Sequence, residues 1–209
     1  MPALRTLTPA LARRLAVTRQ RLSGTPPAPT ADGIMEVVRD LGCLQLDPTS
    51  IVARTHLLVL WSRLGPYDLA ELDRLLWEER RLFEYWAHVA SIVLTEDYPL
   101  HRLFMRQHTE GDSAWKKRMR VWMQDNQALR RRILTQVRRE GPVPSRALAD
   151  AGKDAIAWIS TGWTSERNVS RMLDFLWLRG ELMVAGRVGG QKLWDLAERC
   201  LPDWTPRAR

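Results

Sequence analysis

At 209 residues, with 45% apolar and 27% charged side chains, the chain has an ordinary globular balance and room for one large domain or two small ones. It has no apolar run near the roughly 18 residues of a bilayer span and no signal-peptide pattern, and Cys43 and Cys200 are too few for a disulfide framework or metal cluster. A reducing cytoplasm fits this, and a net charge of +8 points to a polyanionic partner, most commonly nucleic acid.

Thr8 is placed to cap a first helix over residues 9–22, with Leu11, Leu15 and Leu22 along one side. A Pro/Gly loop leads to a second helix over 31–41, whose stripe is Ile34, Val37, Val38 and Leu41. Gly42 can close it, and Cys43-Leu44-Gln45-Leu46-Asp47 then alternates apolar and polar residues. Read as a strand, this places Gln45 and Asp47 on one face, roughly 6.5–7 Å apart, where an amide and a carboxylate could share one water. Asp47 before Pro48 also reads as a helix cap followed by a first-turn proline, and spacing alone leaves both readings open.

Residues 51–64 read as a third, largely buried helix closed by Gly65 and Pro66, and Asp68 caps a fourth running to residue 79. Phe83-Glu84-Tyr85-Trp86 and Ser91-Ile92-Val93-Leu94 follow as two strands of a hairpin. Helices followed by a hairpin give the order of a winged-helix unit, which we expect over 1–108. Residues 96–108 read as helical, and the polar stretch from His108 to Ser113 marks the boundary.

The second unit is expected over 109–200, with 201–209 a tail or the start of a third. A basic helix over 113–123 packs through Trp115, Met119, Trp122 and Met123, and a further helix runs over 126–140. A short helix over 145–151 comes next, then a helix capped by Thr164 or Ser165. Its Val169, Met172, Leu173, Leu176 and Trp177 keep helical spacing, and a hairpin turned at Gly189-Gly190 follows Gly180. The predicted fold class is mainly α with short β-hairpins, as tandem winged-helix units. Residues 101–140 carry +7 of the net +8, and only four of the 32 cations are lysine. Arg167 and Arg171 on the recognition-position helix, with Arg187 and Lys192 beside the hairpin tip, form the expected phosphate-contacting set.

Three blocks together resemble the YcaQ/AlkZ-type DNA glycosylases: Gly42-Cys43-Leu44-Gln45-Leu46-Asp47-Pro48; Val52-Ala53-Arg54 with Leu58-Val59-Leu60-Trp61-Ser62-Arg63-Leu64-Gly65; and Glu84-Tyr85-Trp86-Ala87-His88 with Ala90-Ser91. That family consists of winged-helix proteins that remove alkylated purines and unhook interstrand crosslinks. Its catalytic element is Gln-apolar-Gln in one branch and Gln-apolar-Asp in another, so the resemblance implies Gln45 and Asp47 as the catalytic pair, with Arg54 among the DNA contacts. It also implies a monofunctional enzyme without metal or cofactor, acting as a monomer on double-stranded DNA in the cytoplasm, at the nucleoid. The family's members are longer, with a third winged-helix unit and a C-terminal β-rich domain. The reading from a different class is a non-catalytic winged-helix DNA binder or regulator.

Overall fold

The computed structural model of the chain describes residues 6–159 and 167–206. Helix α1 (Pro9–Arg19) starts at Thr8, whose hydroxyl accepts the Leu11 N–H at 3.2 Å. It stops short of residue 22, and Leu11, Leu15 and Leu22 are half exposed rather than packed. The chain after α1 is fastened by Arg21, which pairs with Glu36 and Asp40, and by Arg63, whose Nε donates to the Gln20 carbonyl. Helix α2 (Ala31–Leu41) begins at Thr30, buries Ile34, Met35, Val37 and Val38, and ends at Gly42 in a left-handed conformation.

Strand β1 (Leu44–Gln45) follows. The expected helix from residue 51 does not start there. Residues 48–54 are irregular, Ile51 and Val52 are 92% and 88% exposed, and α3 (Thr55–Leu64) begins after an extended Arg54. The Asp47 carboxylate takes the Thr49 N–H and turns the chain, and no helix follows that turn before Thr55. Helix α4 (Leu69–Asp73), capped by Asp68, continues through a π-helical turn over Arg74–Glu78 and buries Leu72, Leu75 and Leu76. Strands β2 (Leu82–Trp86) and β3 (Ala90–Leu94) form the hairpin, and β1 pairs on β3 to give the order β1-β3-β2.

Helix α5 (Tyr98–Glu110) runs through His108, so the polar break shrinks to residues 111–113. Then come α6 (Ala114–Asp125), α7 (Gln127–Glu140), β4 (Val143–Pro144), a 3-10 stretch over Ser145–Gly152 and α8 (Asn168–Leu178). The expected caps Thr164 and Ser165 lie outside the described residues. Strands β5 (Leu182–Val188) and β6 (Gln191–Leu196) and a short α9 (Ala197–Cys200) complete the chain, with β4-β6-β5 as the second sheet. The fold is mainly helical with two small antiparallel sheets of the same strand order, each following helices. That is a winged helix twice over.

One apolar core joins α2, α3, α4 and the first sheet through Ile34, Val38, Leu60, Leu75, Leu82 and Ile92. The other gathers Met119, Ile133, Val137, Met172, Leu176 and Leu182, and also takes in Phe83, Tyr85 and Val93. The first sheet therefore serves both cores, which explains why β2 and β3 read as nearly continuous apolar runs. Three hydrogen bonds to main-chain carbonyls help to stitch the sheet and the turn before it to the second unit. The Tyr85 hydroxyl donates to the Leu178 carbonyl (2.8 Å), Trp177 Nε1 to the Glu84 carbonyl (3.1 Å), and Arg80 Nη2 to the Ala185 carbonyl (3.1 Å). Ala185 sits where the β5–β6 register shifts between Val184 and Gly186, so its carbonyl is turned out of the ladder towards Arg80. Close approach also matters at Gly180, where a Cβ would meet the Met105 sulfur at 2.3 Å.

Candidate active site and nucleic-acid interface

Leu44 is 1% exposed and pairs with Ile92, which pins the register of β1. Gln45 then stands opposite Ser91, which in turn faces Tyr85, so the exposed amide lies on the sheet face turned to the second unit. The Leu46 N–H donates to the Ala90 carbonyl at 2.8 Å and carries the pairing one residue further, while the Leu46 side chain packs on the first core. Asp47 follows, half-exposed, its Oδ1 accepting the Thr49 N–H at 2.7 Å. Hydrogen bonds from the Thr49 backbone and hydroxyl hold this carboxyl below the usual carboxylate range, because they favour the charged form. Asp47 is therefore an anion at neutral pH. It caps a turn, not a helix, so the carboxylate belongs to an irregular, solvated loop.

The five expected cations separate into groups. Arg54 comes from the far end of that same loop and crosses to the second wing, where a Cβ on Gly190 would lie 2.7 Å from its Nη2. Gly190 has φ 79° and leaves that space open. Arg187 is engaged inside the protein: Nε and Nη2 donate to the two Glu84 carboxylate oxygens at 2.6 and 2.8 Å, and Nη1 donates to the Gly190 carbonyl at 2.7 Å. Glu84 is 2% exposed, so this bidentate pair is a buried link from first sheet to second hairpin. Lys192 is half-buried, its ammonium 4.2 Å from the Trp177 ring centroid and 5.0 Å from that of Trp194, and burial lowers its pKa. Arg171 lies by Phe175 and Trp158 and 3.9 Å from the Asp174 carboxylate. Arg167 is exposed and shares a surface depression with Arg146 and Lys153.

Spacing gave no hint of Arg146 and Lys153 beside Arg167, which depends on how the 3-10 stretch meets α8, or of the Arg54 crossing, which depends on how the two units dock. Glu84 did leave a signal: a charged residue inside an otherwise apolar strand needs a partner. His56, two residues after Arg54, is buried with an unpartnered Nδ1, and burial, followed by the charge of Arg54, lowers its pKa. Among the described residues no group of three His, Cys, Asp or Glu side chains could hold a metal ion, and no helix is long and apolar enough to cross a membrane.

A family model described as DNA glycosylase AlkZ-like matches residues 38–209, which take in the motif, Arg54 and both wings. The chain belongs to the AlkZ-like family. Among solved structures it is similar to the Streptomyces sahachiroi DNA glycosylase AlkZ, with a TM-score of 0.58 and 16% identity, covering 92% of this chain and 50% of that one. At that identity the likeness is one of fold. This chain spans half the length of that AlkZ-like structure, and α1 falls outside the residues that the family model matches.

Proposed function

We propose that this protein is a monofunctional DNA glycosylase that hydrolyses the N-glycosidic bond of N7-alkylated purines in double-stranded DNA and unhooks interstrand crosslinks made through them. The observation that carries this reading is the solvated, ionised Asp47 carboxylate, held by Thr49 two residues after the exposed Gln45, in a basic protein of the AlkZ-like family. A pure DNA binder has no use for a carboxylate turned to a polyanion, because it lowers affinity.

The chemistry asks little of the protein. A purine alkylated at N7 carries positive charge and leaves without strong acid catalysis, taking the bonding electrons of the C1′–N9 bond with it. Positive charge then develops on the sugar as an oxocarbenium-like centre. Asp47 stabilises that charge and accepts a proton from the attacking water, while the Gln45 amide orients the water; the oxygen ends on C1′ as an abasic sugar. Arg54, Arg167 and Arg171 supply phosphate contacts, joined by Arg146 and Lys153. Arg187 shapes the wing through Glu84, and Lys192 faces a cleft rather than open solvent.

The test is incubation with a duplex bearing N7-methylguanine, followed by alkali. Strand breaks at the methylated position, lost in Asp47→Asn and Gln45→Ala, are the expected result; equal cutting by the variants sinks the assignment. Duplex affinity should fall steeply with salt, the slope shrinking by about 0.9 for each phosphate contact removed by neutralising Arg167 or Arg171.

A further inference from the structure

A cleft of about 430 Å³ opens between the units, lined by Trp86, Ala90, Trp115, Phe175, Trp177 and Lys192. Phe175 and Trp177 are buried, but Trp86 and Trp115 stay 40% and 44% exposed. Each exposed indole meets a fixed ring edge-on: Trp86 on Trp177 at 6.4 Å and 83°, Trp115 on Phe175 at 5.9 Å and 88°. Edge-on contact braces a ring without stacking a neighbour across its face. Two large aromatics left half in water around a concavity mark a place for a ligand.

The charges narrow the choice. Arg171 and Lys192 face the cleft with a single carboxylate, Asp174, and His108, also on the wall, is kept neutral because burial lowers its pKa. Two cations against one carboxylate bias the wall towards an anion such as a phosphodiester. Position narrows it further. Ala90 lines the cleft, and its carbonyl accepts the Leu46 N–H, so the cleft and the Gln45–Asp47 segment share a strand pairing. We infer that this cleft receives one unstacked nucleotide of the DNA, its base against Trp86 and Trp115 and its phosphate on Lys192 and Arg171. The inference rests on the DNA-binding reading above and adds to it a site for an extrahelical base.

The probe is a labelled duplex with one extrahelical 2-aminopurine, compared with the same duplex in which 2-aminopurine pairs with thymine. Wild type should bind the extrahelical form about tenfold more tightly and quench its emission by stacking. Trp86→Ala and Trp115→Ala should lose preference and quenching while still binding the paired duplex, and Trp86→Phe should restore both. Both indoles are half-exposed, and an unchanged far-UV spectrum checks that the variants fold. Equal affinity of wild type for the two duplexes overturns the cleft but leaves the glycosylase reading standing. Preference retained in both alanine variants moves the site elsewhere, and a wild type that binds neither duplex overturns both readings.

Discussion

The two sheets hold the same strand order, yet the same position in each has been put to different use. In the second, Val143 pairs with Trp194 and Pro144 with Leu193, and the chain turns straight into the 3-10 stretch at Ser145. In the first, Leu44 pairs with Ile92 and Gln45 with Ser91, and residues 46–54 detour through the Asp47 turn before α3 begins. Both leading residues, Leu44 and Val143, are buried, because the fold needs an apolar side chain there to dock the short strand. The residue after it is free of that demand. A proline suffices in one unit, and the other places an amide and then a carboxylate. The second unit thus shows the same strand position with neither an amide nor a carboxylate following it.

The largest effect that could break this contrast is catalytic. Asp47→Asn and Gln45→Ala should each cut release of N7-methylguanine by about 10²–10⁴-fold in single-turnover assays with unchanged thermal stability, while Pro144→Ala should leave the rate alone. If Pro144→Ala proved as damaging as Gln45→Ala, strand geometry and not the side chain would be at work. The pH profile sharpens the point. Because Thr49 holds the Asp47 pKa down, the anion persists as pH falls, and activity should survive until the pH drops below the ordinary carboxylate range. Thr49→Pro removes both the N–H and the hydroxyl, so its acid limb should move upward.

Next comes the link between the units. Arg187→Met strands the buried Glu84 carboxylate and should cost about 3 kcal/mol in urea unfolding, with the Glu84→Gln/Arg187→Met pair recovering part of it. Tyr85→Phe removes the donor to Leu178 and should cost about 1–2 kcal/mol. The smallest effect separates the two wing-tip glycines. Gly189 and Gly190 both have positive φ, so alanine at either costs roughly 1 kcal/mol, but only Gly190→Ala crowds Arg54 and should also weaken duplex binding.

Much of the architecture could be read from periodicity and punctuation. Thr8 and Asp68 cap where capping chemistry places them, and Gly189-Gly190 turns the second hairpin. The stripe from Met172 to Trp177 is buried as its spacing demands. The misreadings share a cause. Leu11 and Leu15 keep helical spacing without meeting a surface to pack on, and Ile51 and Val52 look like core residues yet project from a loop. Sequence pattern states which side chains prefer burial, and it is silent on whether a partner surface exists. At the site, the buried Leu44 and the short strand through Gln45 were legible, while the turn that takes Asp47 out of the strand was not. The route of Arg54 to Gly190 and the grip of Glu84 on Arg187 were not, since they join residues more than a hundred positions apart.

Three of the hydrogen bonds that join the first sheet and the turn before it to the second unit end on main-chain carbonyls, those of Leu178, Glu84 and Ala185. A carbonyl is present whatever side chain its residue carries. Only the donors, Tyr85, Trp177 and Arg80, must be kept for these bonds to survive. Mutational drift at Leu178 and Ala185 can therefore proceed without loosening them, whereas Glu84 must also keep the carboxylate that grips Arg187 across the same junction.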